Sequence, residues 1–180
     1  MNPFAGSLAM DRSIWIVAAG GPAGGTGGGM LSGENWAATP GEPARARESP
    51  PPPRRQWMLV IDDEASIRTA VSRFFTRRGW NVEVAENGRQ GLDMLLARPA
   101  ADQYAVIICD IRMPVMTGAE LHDALLADRP DLLERLIFIT GEVTSAEVVA
   151  LVNRTSRPVL LKPFEFATLV ETVELVRAKV

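Results

Sequence analysis

The sequence is poor in metal-binding and redox-active side chains and has no excess of basic charge. It contains one cysteine and one histidine among 180 residues, so it can form neither an intramolecular disulfide nor a zinc site built from cysteine or histidine clusters. Lysine and arginine total 19 against 22 aspartates and glutamates, and the net charge of −3 provides no basic face for nucleic acid. No apolar run is long enough to cross a bilayer as a helix. We therefore expect neither nucleic acid nor membrane as a partner.

One short apolar stretch, residues 13–19, could serve as a weak signal-peptide core. It is short, and Arg12 stands alone beside Asp11 where a signal peptide would carry a basic cluster. We therefore expect a cytoplasmic location.

Composition changes sharply near residue 56. Ten of the 15 glycines and eight of the 13 prolines precede it, and a segment of this kind cannot bury enough apolar surface to offset the entropy of ordering it. Residues 24–29 could be a phosphate-binding loop, but they lack the Gly-Lys-Ser/Thr ending of such loops. The prolines at 50–53 favour a stiff spacer. Residues 1–55 are thus predicted to be a disordered segment or linker, and residues 56–180 the folded domain.

From residue 57 onward, short apolar runs alternate five times with helical patterns. Continuous apolar runs between helices are typical of parallel strands buried on both faces, so the pattern predicts an α/β sheet with right-handed crossovers. The predicted strands are residues 57–61, 81–85, 106–110, 136–140 and 159–161. The helical patterns carry Ile67, Ala70, Val71 and Phe74; Leu92, Leu95 and Leu96; Leu121 and Leu125; residues 145–153; and Phe166, Leu169, Val170, Val173 and Val176.

Polar side chains stand where four of these strands end. Asp62 and Asp63 follow the first strand, Asp110 ends the third, Thr140 ends the fourth and Lys162 follows the fifth. Ligand sites of open parallel sheets lie outside the carboxyl ends of the strands, so these five side chains should converge. Three carboxylates, a hydroxyl and an amine at one place indicate a site for a metal ion and a phosphoryl group.

This arrangement resembles the receiver domain of two-component response regulators. Each motif alone would mean little, but their order and their positions at strand ends form a specific signal. The resemblance covers roughly residues 56–180 and implies a flavodoxin-like (βα)5 fold with strand order 2-1-3-4-5, an order that periodicity alone does not provide. The matching pieces are Val60-Ile61-Asp62-Asp63-Glu64, the segment from Asp110-Ile111-Arg112-Met113-Pro114 to Gly118, Thr140, and Lys162-Pro163-Phe164.

The resemblance implies a role for each matching residue. Asp110 would be the phosphoacceptor, taking a phosphoryl group from a histidine kinase or a histidine phosphotransfer protein as an acyl phosphate. Magnesium would be the cofactor, bound directly by Asp63, Asp110 and the backbone carbonyl of Arg112, and through water by Asp62. The domain would thus catalyse its own phosphorylation without being a turnover enzyme.

The remaining implied roles concern charge and switching. Lys162 would place a positive charge on the phosphoryl oxygens, and Thr140 would offer them a hydroxyl. The resemblance implies that Thr140 and Val159 would be the switch positions, and at the second of these the family usually has an aromatic residue that changes rotamer on phosphorylation. The run around Val159 looks more like receivers fused to the C-terminus of hybrid histidine kinases. This departure bears on the aromatic part of the switch and not on phosphoryl acceptance.

The expected output is contact with a downstream protein. Residues 57–180 contain 18 acidic and 14 basic residues, which opposes binding to a phosphate backbone, and no helix-turn-helix pattern precedes them. The face formed by the fourth helix, fifth strand and fifth helix would be read by the partner, and it could also carry a homodimer.

Three other interpretations fit part of the pattern. A degenerate receiver acting as a non-phosphorylated binding module is opposed by the intact acidic, hydroxyl and lysine positions. A phosphohydrolase of the haloacid dehalogenase type would need an aspartate two residues after its nucleophile, where Arg112 stands. A dinucleotide-binding enzyme would need a glycine-rich turn after the first strand, where Asp62 and Asp63 stand.

Three further residues receive structural interpretations. His122 is expected at the surface or the boundary of the third helix, and Cys109 in the core. Glu64 is expected to serve the first turn of the first helix, where a negative charge meets the helix dipole.

Overall fold

The computed structural model describes Ile16–Val17, residues 56–142 and residues 144–179. Apart from Ile16–Val17, the predicted disordered segment of residues 1–55 lies outside the described residues, so its disorder and the domain boundary remain predictions. Within the described part of the chain, no helix is long and apolar enough to cross a membrane.

The described residues form a sheet of six strands with five α-helices and two short 3₁₀ helices. The strands are β1 (Ile16–Val17), β2 (Trp57–Ile61), β3 (Asn81–Ala85), β4 (Val106–Asp110), β5 (Leu136–Thr140) and β6 (Val159–Leu161). The helices are α1 (Ala65–Thr76), α2 (Gly88–Ala97), α3 (Gly118–Asp128), α4 (Ala146–Arg154) and α5 (Phe166–Arg177), with the 3₁₀ helices at Ala100–Asp102 and Pro130–Arg135.

All strand pairs are parallel, and the sheet order is β3-β2-β4-β5-β6-β1. Counted from Trp57, the five strands follow the order 2-1-3-4-5, so the flavodoxin-like fold is confirmed. The strand β1 was not expected. It pairs Ile16 with Val159 and Val17 with Leu160 at the outer edge of β6.

The core consists of two apolar layers, one on each face of the sheet. Every residue of β4 and β5 is buried, because helices cover both faces of these central strands. Alternate residues such as Leu59 and Ile107 pack with α2, α3 and α4, while Val60 and Ile108 pack with α1 and α5. Burial of each large aliphatic side chain contributes roughly 1.5–3 kcal/mol, so the strands form a stiff platform beneath the loops that follow them.

Side-chain caps define where three of the helices begin. The Asn87 side chain accepts a hydrogen bond from the Gln90 amide and starts α2. Thr117 and Glu120 form a reciprocal capping box at the start of α3, and the Ser145 side chain caps α4 by accepting a hydrogen bond from the Val148 amide. These caps fix the points at which the loops after β3, β4 and β5 end.

Two details of packing differ from the sequence-based expectations. In α1 the buried residues are Val71 and Phe75, while Phe74 is half-buried and stacks on Phe166 with 4.2 Å between ring centroids. His122 is buried, not at the surface, because its ring packs near Phe138 while Nδ1 lies 3.2 Å from the Asp123 carboxylate.

An aromatic and ionic cluster joins β2, β3 and the end of α2. The Arg98 guanidinium lies over the rings of Trp57 and Tyr104, at 4.1 and 4.4 Å from their centroids, and 3.0 Å from the Glu83 carboxylate. The Tyr104 hydroxyl donates a hydrogen bond to Glu83. Burial raises the pKa of Tyr104 to about 12, with the Glu83 hydrogen bond and charge adding to the effect and Arg98 opposing it.

Because the chain has a single tyrosine, this pKa can be measured from tyrosinate absorbance. The unfolded chain should lose the proton near pH 10, whereas the folded protein should keep it until about pH 12. The free energy of unfolding should therefore fall on the order of 2–3 kcal/mol as pH rises through this window. Glu83→Gln removes the neighbouring charge and should lower the midpoint of the folded protein. A wild-type folded midpoint near 10 would contradict the arrangement.

Candidate functional site

The polar residues at the strand ends meet around the ammonium group of Lys162. Its Nζ atom lies 2.6 Å from Asp110 Oδ2, 2.9 Å from Asp62 Oδ2 and 2.9 Å from Glu64 Oε1. Burial favours the neutral amine, but the close contacts with the carboxylates of Asp110, Asp62 and Glu64 outweigh burial, and the pKa of Lys162 is raised. The lysine is therefore a permanent positive charge within the acidic group.

Asp62 directly follows β2 and is completely buried. Its Oδ1 atom accepts a hydrogen bond of 2.8 Å from the Glu64 amide. Its Oδ2 atom is buried without an aligned hydrogen bond from the described residues, although Lys162 Nζ is close by. Burial raises the pKa of Asp62, while the nearby Lys162 ammonium and the hydrogen bond from the Glu64 amide act in the opposite direction. This oxygen can therefore bind a further cation in addition to Lys162.

Asp110 ends β4 with only 5% of its surface exposed. Its Oδ1 atom accepts a hydrogen bond of 3.1 Å from the Arg112 amide, and its Oδ2 atom accepts the bond from Lys162. The two carboxylate oxygens are thus oriented by one backbone donor and one cation. Cys109, immediately before it, is buried in the core as expected; burial raises the pKa of its thiol, with smaller contributions from the charges of Asp110 and Asp62.

The loop between β4 and α3 folds back tightly under Asp110. The Gly118 amide donates a 2.9 Å hydrogen bond to the Ile111 carbonyl, and the Met116 amide donates one of 2.8 Å to the Pro114 carbonyl. Val115 is 80% exposed and has φ of 70°, a left-handed conformation that is unfavourable for a β-branched residue. Strain is therefore stored in the loop beside the acidic group.

Thr140 ends β5 and is completely buried. Its hydroxyl donates a 2.8 Å hydrogen bond to the Glu142 carbonyl and accepts one of 3.3 Å from the Glu142 amide, while its own carbonyl accepts a 2.7 Å bond from the Lys162 amide. The Glu142 carboxylate forms an ion pair with Arg112. These bonds connect the loops after β4 and β5 to the strand end that carries Lys162.

The structure brings some expected residues together and leaves others outside. Among the described residues, carboxylate oxygens of Asp62, Glu64 and Asp110 lie within 4.8 Å of one another, whereas the exposed Asp63 is not in this group. Glu64 precedes α1 without capping it through its side chain and turns its carboxylate to Lys162 instead. Its place in the acidic triplet after β2 was the signal that could have indicated this. Val159 is buried in β6.

The donor set fits a small, hard divalent cation. Magnesium prefers carboxylate and carbonyl oxygens and retains several waters. The three carboxylates offer such oxygens. The buried Oδ2 atom of Asp62, which lacks a well-aligned hydrogen bond, is an oxygen that a cation could coordinate. Without a cation, carboxylates this close repel one another, and Lys162 provides part of the compensation.

Comparisons with known proteins identify the family of the domain. The family model described as Response regulator receiver domain matches residues 58–174. Response regulator MprA of Mycolicibacterium vanbaalenii is 30% identical over 107 residues, which are 59% of this chain and 44% of that protein. Response regulator MprA of Mycobacterium avium has the same identity and coverage. The chain thus spans less than half the length of these curated relatives.

Two solved structures show the same fold. Chemotaxis protein CheY4 of Vibrio cholerae is 34% identical, with a TM-score of 0.57 over 68% of this chain and 98% of that one. The response regulator TrrA of Thermotoga maritima, solved in complex with Mg²⁺-BeF, is 25% identical, with a TM-score of 0.56 over 67% and 98% of the two chains.

The fold and the acidic pocket define a signalling domain of two-component systems. The chain belongs to the response regulator receiver domain family.

The close approach beneath Asp110 makes Gly118 sensitive to substitution. A Cβ atom at Gly118 would lie 2.6 Å from the Asp110 carbonyl oxygen and 2.9 Å from Ile111 Cα, whereas one at Gly141 would have nothing within 4 Å. Gly118→Ala should lower the free energy of unfolding by about 1–3 kcal/mol, although alanine is favoured by about 1 kcal/mol within a helix. Gly141→Ala is the matched control and should be nearly neutral. Equal chemical denaturation midpoints for the two variants would contradict the packing.

Proposed function

We propose that the chain is a phosphoacceptor receiver of a two-component phosphorelay. Asp110 takes a phosphoryl group from a phosphohistidine on a histidine kinase or histidine phosphotransfer protein, with Mg²⁺ as cofactor. The observation that carries this proposal is the Lys162 ammonium group, held 2.6 Å from Asp110 and within 2.9 Å of Asp62 and Glu64 at the carboxyl end of the sheet.

The transfer requires little covalent chemistry from the protein. One Asp110 carboxylate oxygen forms a bond to phosphorus, the bond from phosphorus to the donor histidine nitrogen breaks, and that nitrogen keeps the electron pair. A carboxylate must approach a phosphoryl group that is itself negative, so charge neutralisation and alignment are what the site supplies. Magnesium, if held by carboxylate oxygens of the site, would add positive charge beside the phosphoryl oxygens.

Two groups of the chain provide that neutralisation and alignment. Lys162 can move its charge from the Asp110 carboxylate to the incoming phosphoryl oxygens without leaving the site, because Asp62 and Glu64 hold it on the other side. The Arg112 amide keeps hold of one Asp110 oxygen and so restricts the orientation of the attacking carboxylate.

A groove beside the site suits the apolar part of a phosphodonor protein. It has a volume of about 400 Å³ and lies between α1 and the segment leading into α5. Its wall includes Ile67, Ala70, Phe164 and Phe166, and Lys162 and Glu64 border it. A helix of the donor lying in this groove would bring its histidine close to Asp110.

We include a cytoplasmic location in this proposal.

Output follows from the bonds of Thr140. In this structure its hydroxyl donates a hydrogen bond to the Glu142 carbonyl and so fixes the loop after β5. A phosphoryl group on Asp110 would compete for that hydroxyl and shift the loop between pre-existing arrangements. A downstream protein, or a second copy of the chain, would read the change on the face of α4, β6 and α5. Val159 offers no aromatic ring there, so the change on this face should be small.

The alternative of a degenerate, non-phosphorylated binding module requires a broken site. Here Lys162 forms ion pairs with both Asp62 and Asp110, and no observation favours that alternative.

The acceptor can be tested with a small phosphodonor such as acetyl phosphate. Asp110→Asn keeps the size of the side chain but removes the nucleophilic carboxylate, so labelling that hydroxylamine can release should fall to background. Asp93→Asn is the matched control, because Asp93 is an exposed aspartate on α2, and it should label like the wild type. Full labelling of the Asp110 variant would show that another residue accepts the group.

The metal ligands can be tested by magnesium titration calorimetry and by phosphorylation in excess chelator. Chelation should abolish phosphorylation. The family resemblance implies that Asp63→Ala weakens magnesium binding more than Asp62→Ala, by about tenfold or more. If Asp62→Ala weakened magnesium binding more than Asp63→Ala, direct coordination would be assigned to the cluster of Asp62, Glu64 and Asp110. Undiminished phosphorylation in chelator would refute the cofactor.

A further inference from the structure

The outer edge of β6 is an interaction surface that this chain covers itself. The carbonyl of Pro158 accepts a hydrogen bond from Phe138, and the Lys162 amide donates one to Thr140. Backbone groups of successive strand residues point to opposite sides of the strand. Pro158, Leu160 and Lys162 therefore face β5. Val159 and Leu161 direct their amides and carbonyls to the outer edge. An uncovered edge of this kind invites pairing with another chain.

The pairing with β1 satisfies these outward groups. Ile16 lies opposite Val159 and Val17 opposite Leu160. In a parallel ladder of this register, the Val17 amide faces the Val159 carbonyl and the Val17 carbonyl faces the Leu161 amide.

The sequence around β1 suits this role. Residues 13–19 form an apolar run with β-branched and aromatic residues, which are favoured in strands, within a segment otherwise rich in glycine and proline. The connection is also long enough. Four inter-strand spacings separate β1 from β2 in the sheet, a distance of about 19 Å, and residues 18–56 can span far more than that.

We propose that the β6 edge is the docking site of the chain's own N-terminal segment, which adds as a sixth parallel strand through Ile16–Val17 and keeps this edge from pairing with a second chain. The edge belongs to the face of α4, β6 and α5, so self-association through that edge requires displacement of β1. This inference does not depend on phosphorylation of Asp110.

The test is amide hydrogen exchange on the full-length chain. Val17→Pro removes the amide that faces Val159 and disfavours the strand, whereas the matched control Val17→Ala keeps the amide. The Leu161 amide should exchange at least about tenfold faster in the proline variant than in the alanine variant. The Lys162 amide, bonded to Thr140, should be unchanged in both and serves as the internal reference.

Two outcomes would overturn the docking. One is a Leu161 amide that exchanges equally fast in the two variants. The other is wild-type protection of Leu161 that rises with protein concentration, because it would assign the edge to a second copy of the chain. Sedimentation tests the protective role: Val17→Pro should self-associate more tightly than Val17→Ala, and equal association would overturn that role.

Discussion

The contact on which the site depends is that between the Lys162 ammonium group and the buried carboxylates of Asp62 and Asp110. Two carboxylates cannot be held ionised at one buried place without a cation, because desolvation and mutual repulsion both oppose it. Lys162 provides that cation permanently, and its own burial is tolerated only because the carboxylates surround it. Each partner is therefore the condition for burying the other, and removal of either leaves an uncompensated charge.

The parallel sheet meets this requirement. The lysine follows β6, the acceptor ends β4 and the other aspartate follows β2, so three non-adjacent stretches of sequence have to finish at one edge. Between β4 and β6 lies β5, whose Thr140 carbonyl accepts the Lys162 amide and so positions the start of the lysine segment. The apolar layers on both faces fix the strands, and among the described residues the strained backbone of Val115 lies in a loop that follows them.

Local signals in the sequence were enough for the elements and for most of the site. Strand and helix patterns have short periods, and a polar residue at the end of an apolar run marks a strand end, so Asp62, Asp110, Thr140 and Lys162 could be placed from the order of residues alone. What depends on distant contacts could not be predicted in this way. The side chain of Glu64 turns to a lysine 98 positions away, the burial of His122 depends on Phe138, and the pairing of β1 joins parts of the chain that share no motif. The strand order itself came from the family resemblance.

The short strand β6 lies between the acidic site and the outer edge of the sheet. Its inner side is bonded to β5 and leads directly to Lys162, while its outer side faces β1. It has three residues, and their backbone groups alternate between the two sides. The bond of the Lys162 amide to the Thr140 carbonyl lies on the inner side and involves none of the backbone groups that face β1, so the acidic site keeps its lysine in place whether or not the outer edge is paired.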